Sequence, residues 1–233
     1  MAFAAPVVLL STLFPSLAEA QARRPARSRR ETNANRQARI DREVRETYSH
    51  RWEVAGGGGY LRFRPGEFLQ KNNEVTFFGN ATYFLNPKLG ILADAHGAYG
   101  NAKIRNNSYT LPNPQISEYT FTAGPEYRFY ATQKTAATGF VTGGIGYGKF
   151  ASGSKTIPPQ LLGIWSTPWR AAFTAGVNID YNFYPNLAFR VAPTYIGTTF
   201  DGSPYLGVQA VHGTVQNSFG VNIGLVYRLG RQK

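Results

Sequence analysis

The sequence predicts an all-β protein, an eight-stranded antiparallel up-and-down β-barrel, because three patterns in its larger, C-terminal part agree. Apolar and polar residues alternate with a period of two, which is the pattern of strands whose two faces meet different surroundings. Short turns alternate with long polar loops along the chain. All 25 glycines lie at or after Gly56, which separates this strand-rich body from the segments before it.

Residues 1–22 have the pattern of an export signal. Two short apolar runs are followed by the small-residue patterns Ala18–Ala20 and Ala20–Ala22, either of which suits cleavage. The alternative is a buried helix, but the apolar segment is short and meets Arg23 directly. We therefore expect the chain to be exported.

An arginine-rich arm, residues 23–50, follows the signal. From Arg23 to Arg51 there are 10 arginines and 4 acidic residues, a net charge of +6 over 29 residues. Such a polar segment is either a disordered tether or a short helix over 38–48, where opposite charges stand four residues apart. An exported arm meets lipid phosphates rather than genomic DNA, so we expect no nucleic-acid partner.

Three strands show the alternation most clearly, at 118–129, 171–183 and 219–229. Each places apolar side chains on one face and Gly, Thr, Asn or charged residues on the other. Five weaker runs bring the number of strands to eight. These runs cover 52–64, 74–85, 89–100, 136–150 and 187–200.

The first strand contains four consecutive glycines, Gly56 to Gly59, and the parity of its apolar residues changes across them. A β-bulge inserts one residue into a strand, and glycine often marks such a site. We therefore expect a bulge here, with Trp52 and Val54 on the same face as Leu61 and Phe63.

Connection lengths predict the topology. Tight turns with suitable residues are predicted at 86–88, 132–135 and 184–186. Four loops at one end and three turns at the other describe eight up-and-down strands whose two termini lie at the turn end. The four loops are predicted near 65–73, 101–117, 151–169 and 201–217.

The side chains of the two faces predict which face meets lipid. An eight-stranded barrel has an interior just wide enough to be filled by side chains, and the small polar face suits that space. Tyr119 and Tyr127 share the apolar face about 26 Å apart along the strand, or about 20 Å in height after tilting, so both rings reach opposite interfaces of a bilayer. We therefore predict a transmembrane barrel, with a soluble barrel or β-sandwich as the alternative.

Charged residues on the polar face form the candidate site. An ion left unpaired in a filled lumen costs about 3–5 kcal/mol, so we expect carboxylates and arginines to pair and cross-link the interior. The alternative is a gated or narrow ion path in which the partners switch. The expected network consists of Glu53, Asp94, Glu126, Arg128, Asp180, Arg190 and Arg228.

From Trp52 to Lys233 the chain resembles the outer-membrane β-barrel domain family, the OmpA transmembrane domain and its OmpX and Ail-type relatives. The resemblance rests on strand count, loop asymmetry and the terminal strand. It implies an outer-membrane location, with outer-membrane lipid, lipopolysaccharide and the barrel-assembly machinery as partners. That family usually ends on an aromatic residue, whereas here Tyr227 is the nearest one. The expected assembly-signal strand carries Phe219, Val221, Ile223, Leu225, Tyr227 and Leu229.

No cysteine is present, which excludes disulfides, a lipid-anchored cysteine and thiolate metal sites. No glycine-rich phosphate loop, zinc spacing or calcium loop appears in the sequence either, so we expect no cofactor and no metal. We expect the barrel to be a monomer.

Three functions are open. The first is a structural and interaction barrel with a plugged interior, whose four loops adhere to or bind a partner. The second is a narrow pore. The third is a lipid A-modifying enzyme, but no serine lies two residues from either candidate histidine, so we expect no enzyme. The residues that a catalytic set would use are His96, His212, Ser152, Ser154 and Ser203.

The third loop is unusually apolar between Ser154 and Trp169, where Leu162, Ile164 and Trp165 occur. Exposed apolar side chains of this kind serve as an adhesion surface, or they pack on neighbouring loops. The sequence leaves both interpretations open.

Overall fold

A computed structural model of the chain describes residues 33–67, 69–102, 114–152, 162–165, 169–202 and 214–231. The predicted signal peptide and the arm before Asn33 lie outside these residues. The chain divides into two compact units, Met1–Arg39 and Ile40–Lys233, and the second contains the barrel. No helix among the described residues is both long and apolar enough to cross a membrane.

Eight antiparallel strands pair in chain order, and the first pairs with the last, which closes the barrel. Closure leaves no free sheet edge, so the backbone groups of every strand are paired, as a hydrocarbon environment requires. The predicted fold is confirmed. The strands are β1 (His50–Phe63), β2 (Asn72–Phe84), β3 (Leu89–Asn101), β4 (Gln115–Ala131), β5 (Thr135–Phe150), β6 (Trp169–Tyr184), β7 (Leu187–Thr198) and β8 (Gln216–Arg231).

One helix, α1 (Asn33–Tyr48), precedes the barrel. It begins five residues earlier than the predicted helix over 38–48 and ends at the same residue. The described part of the arm is therefore helical rather than a disordered tether. Arg45 lies in its last turn, where a positive charge interacts favourably with the helix dipole.

The barrel is apolar outside and largely polar inside. In β8, Val221 and Ile223 are 43% and 48% exposed, whereas Asn222 between them is 3% exposed. In β4, Phe121 is exposed and Thr122 is buried. Water would favour the reverse arrangement, so the soluble-barrel and β-sandwich alternatives are wrong.

The expected bulge in β1 is also wrong. β1 keeps a continuous register with both neighbours through its glycines. Trp52 therefore faces outward, whereas Leu61 and Phe63 face inward and are buried. The backbones approach closely here, because a Cβ on Gly57 or Gly59 would collide with the backbone of β8. The parity change thus reflects an apolar layer inside the lumen and not a distorted strand.

That layer lies at the loop end of the lumen, and we call it the outer cap. Trp165 from the third loop belongs to it and donates a hydrogen bond from its indole Nε1 to the Arg64 carbonyl oxygen at 2.7 Å. The outer cap consists of Leu61, Phe63, Ala98, Ala102, Ile116, Trp165, Ile196 and Phe200, with Phe150 packed against it.

Leu162 and Ile164 of the third loop form a second buried cluster with Leu69 of the first loop. Together with Trp165 they are fully buried. Loop packing is therefore confirmed for these three residues, and the adhesion surface is wrong for them. The rest of this apolar stretch lies outside the described residues.

Candidate functional site

The candidate site is the polar lumen at the turn end, where five charged side chains form what we call the ion network. Glu53 accepts hydrogen bonds from Arg128, from Arg228 Nε at 3.0 Å and from Arg190 Nη2 at 3.3 Å. Asp180 binds Arg190 through two nitrogens at 2.7 and 2.9 Å, and Arg228 Nη2 at 3.2 Å. The network joins five strands, and each of its members is almost completely buried.

Strand register explains why these ions meet. Asp180 on β6 is directly opposite Arg190 on β7, and Glu53 on β1 is directly opposite Arg228 on β8. Side chains at opposite positions on neighbouring strands lie within contact distance. Arg128 reaches Glu53 across the lumen from β4, so the network spans the interior instead of following one wall.

Glu126 was expected in the same network, but its described hydrogen bonds are to neutral groups. It accepts hydrogen bonds from Thr82 and Thr138 at 2.6 Å and from Asn178 at 2.9 Å. It lies near enough to Arg190 to act on it electrostatically. Glu126 therefore adds a third negative charge beside the three arginines, without a direct ion pair to an arginine among the described residues.

Asp94 was also expected to pair with an arginine, and the structure does not bring it to one within the described ranges. Its carboxylate lies 3.7 Å from His96 Nδ1. His96 is buried in the lumen against the ring of Phe78, and Ser152 is buried as well. His96 is therefore not at the outer rim, where lipid A chemistry would place it. His212, Ser154 and Ser203 lie outside the described residues.

Tyr48, the last residue of α1, lies at the turn end of the lumen. Its hydroxyl donates a hydrogen bond to the Thr132 carbonyl oxygen at 2.8 Å and accepts one from Asn182 Nδ2 at 2.8 Å. Its ring lies 4.7 Å from the Arg128 guanidinium and 5.5 Å from that of Arg228. Burial raises the pKa of the Tyr48 phenol, so this hydroxyl is neutral at physiological pH. Sequence reasoning missed Tyr48, although an aromatic residue ending a polar helix directly before a strand is a usable signal.

Glu74 and Glu118 lie in the opposite half of the lumen, and sequence reasoning missed both. They are 1% and 3% exposed, and none of their carboxylate oxygens accepts a hydrogen bond within the described part of the chain. Small residues of β3 make room beside them, since Gly100 faces Glu74 and Ala98 faces Glu118. The three lumen arginines are at the other end. Both glutamates stand at the first position of a predicted strand, whereas β2 and β4 begin two and three residues earlier.

The double substitution Glu74→Gln with Glu118→Gln is expected to raise the free energy of unfolding by about 1–3 kcal/mol, because it replaces two buried carboxyl groups, whose ionised form has no cation beside it, with neutral side chains of similar size. Urea titration of tryptophan fluorescence in lipid vesicles measures this change. Glu126→Gln is the matched control and should lower the same free energy, since Glu126 uses its oxygens for three hydrogen bonds. Destabilisation by the double variant would show that its carboxylates have partners.

The outer surface carries aromatic side chains at both ends of the strands. Near the loop end Tyr99, Tyr119 and Tyr147 form a row of ring contacts that Trp169 continues, and near the turn end Trp52 and Tyr83 pack edge to face at 4.9 Å. Aromatic girdles of this kind lie at the two interfaces of a bilayer, with an apolar band between them. The fold is that of an outer-membrane β-barrel.

Comparisons with solved structures agree. The barrel is similar to the attachment invasion locus protein Ail of Yersinia pestis, with a TM-score of 0.50 and 16% identity over 78% of this chain and 99% of that one. It is also similar to Neisserial surface protein A, with a TM-score of 0.53 and 12% identity over 76% of this chain and 97% of that one. No family model and no curated protein matches the sequence. At these identities the likeness concerns the fold.

Proposed function

We propose that this protein is an outer-membrane structural and interaction barrel whose lumen is closed and whose four surface loops contact partners outside the cell. The observation that carries the proposal is the filling of the lumen at three levels. Tyr48 covers the turn end, the ion network occupies the space behind it, and the outer cap fills the loop end. A barrel filled in this way anchors and displays its loops instead of conducting.

The loops are the part of the barrel available for binding. The first and third loops are tied to each other through Leu69, Leu162 and Ile164, which supports a rigid platform at the loop end. One protein with this fold is described as an attachment invasion locus protein, which favours adhesion as the class of interaction. Lipopolysaccharide surrounding the loop end is the other partner that we propose.

An adhesion assay tests this function. Cells of a Gram-negative host that express the chain should bind lipopolysaccharide-coated or host-cell surfaces more than cells without it. Replacing 103–113 and 203–213 by glycine-serine segments of equal length should abolish the gain, because both belong to the loops that the sequence predicts at the outer end of the barrel. The matched control replaces the turn residues 133–134, which face the other side of the membrane. Equal adhesion by all four kinds of cell would contradict the proposal.

Closure of the lumen predicts that the purified full chain gives no stable ohmic steps in a planar bilayer. Tyr48→Ala should also give none, because the ion network and the outer cap remain in place. Stable steps from the unmodified chain would instead support the narrow pore, the alternative function in which the ion partners switch.

Absence of catalysis has a separate test. Lipid A from cells with and without the gene should have the same acyl chains by mass analysis. A lost or added acyl chain in the presence of the protein would overturn the non-enzymatic assignment.

A further inference from the structure

A groove of about 660 Å³ opens at the turn end, outside the lumen. It lies between the last turn of α1, the connection from β2 to β3, and the end of β4. We call it the turn-end groove, and its lining includes Val44, Arg45, Lys88, Arg128, Phe129 and Tyr130.

One side of the turn-end groove is open to lipid. Phe129 and Tyr130 are consecutive residues, yet they are 58% and 52% exposed. The register between β4 and β5 shifts between Arg128 and Tyr130, and a bulge re-aims side chains in this way. Both rings therefore face outward at the level of the turn-end aromatic girdle, where lipid headgroups lie.

The other side of the turn-end groove is cationic. Arg45, Lys88 and Arg128 line it, and its ten described lining residues include no acidic side chain. Arg128 is 3% exposed, and its Nε has no hydrogen-bond partner among the described residues. Its two other nitrogens bind Glu53 and the Pro87 carbonyl oxygen. An unused buried donor beside two exposed cations fits an anionic group that carries several acceptor oxygens.

We propose that the turn-end groove binds the phosphate of an anionic glycerophospholipid from the periplasmic leaflet. Arg45 and Lys88 contact the phosphate, and the acyl chains follow Phe129 and Tyr130 into the bilayer. An amphiphile matches this surface because the cationic and apolar sides adjoin at the depth of the headgroups. The site is independent of the loops and of any partner that they bind.

Native mass spectrometry of the full chain, released from detergent with added phosphatidylglycerol or phosphatidylcholine, tests the site. One phosphatidylglycerol should be retained in preference to phosphatidylcholine. Arg45→Gln with Lys88→Gln should weaken this binding about thirtyfold, since each cation beside an anionic lipid contributes about fivefold. Tyr130→Ala should weaken the binding of both lipids.

The matched control is Arg62→Gln with Lys149→Gln, which removes two exposed cations at the loop end and should leave binding unchanged. A second measurement locates the lipid and does not depend on these charge variants. The chain has no cysteine, so Ala131→Cys carries a single fluorophore at the groove and Lys149→Cys carries one at the loop end. A nitroxide on the phosphatidylglycerol headgroup should quench the first more strongly.

Equal retention of the two lipids would overturn the proposal, and so would equal weakening by the two charge variants or equal quenching at both labels. A lipid-independent dimer that Tyr130→Ala abolishes would also overturn it, because the turn-end groove would then bind a second copy of the chain.

Discussion

Glu53→Gln is expected to lower the free energy of unfolding by about 3–5 kcal/mol, because it leaves buried arginines without their shared carboxylate. Glu53 contacts Arg128, Arg190 and Arg228, and Asp180 compensates only the last two. Glutamine has nearly the same volume as glutamate, so the loss of stability reflects the removed charge and not a change in packing. Urea titration in lipid vesicles and the temperature at which the folded gel band disappears both measure it.

A double-mutant cycle shows whether the loss of stability in Glu53→Gln arises from the ion network. Adding Arg128→Gln to Glu53→Gln should restore part of the stability, since it removes the cation that has no other described carboxylate. Glu67→Gln is the control, because Glu67 is only half-buried and lies at the loop end. Additive losses, or an equal loss from the control, would mean that the network does not cross-link the barrel.

Ile223→Arg has the second large expected effect and tests the orientation of the faces. Ile223 lies at the middle of β8, is 48% exposed, and belongs to the predicted assembly-signal strand. An arginine on the lipid face near the bilayer midplane costs about 2–4 kcal/mol, and one near the interface costs about 0–1 kcal/mol. The variant should therefore assemble poorly and lose its heat-modifiable gel mobility at a lower temperature.

Leu229→Arg is the depth control on the same face of the same strand, close to the turn-end interface, and should be nearly neutral. Ile223→Phe controls for the loss of isoleucine itself and should assemble normally. A similar cost for arginine at both depths would argue against a bilayer around the strands.

Most of the barrel could be predicted because its signals are local. Each predicted strand overlaps an observed one and differs from it by no more than three residues at either end. The period of two sorted the faces correctly in β4, β6 and β8, where one face is almost wholly apolar and the other is mostly polar. It failed in β1, because Leu61 and Phe63 are apolar residues that face inward. It also missed the inward orientation of Glu74 and Glu118, because the predicted strands began at these residues, too late to show the alternation before them.

The candidate site was only partly predictable. All seven charged residues expected inside do face the lumen, and five of them meet in the ion network. Which ions meet was not predictable, because Asp94 and Glu126 carry the same charge as Glu53 but lie at other heights and beside other donors. The contacts of Tyr48 with Thr132 and Asn182 were missed because a helix period gives no information about a contact with a strand far along the chain.

The sequence by itself determined the number of strands, the alternation of short and long connections, and which side chains of the clearly alternating strands point toward lipid, since each depends on residues next to one another. Only the tertiary structure decided the partners inside the lumen, the contacts of Tyr48 at its turn end and the packing of the outer cap. Those contacts depend on barrel closure, which brings Arg228 to Glu53 across 175 residues of chain. Such pairings depend on strand register and on the height of each residue along the barrel axis, and neither can be predicted from a local sequence pattern.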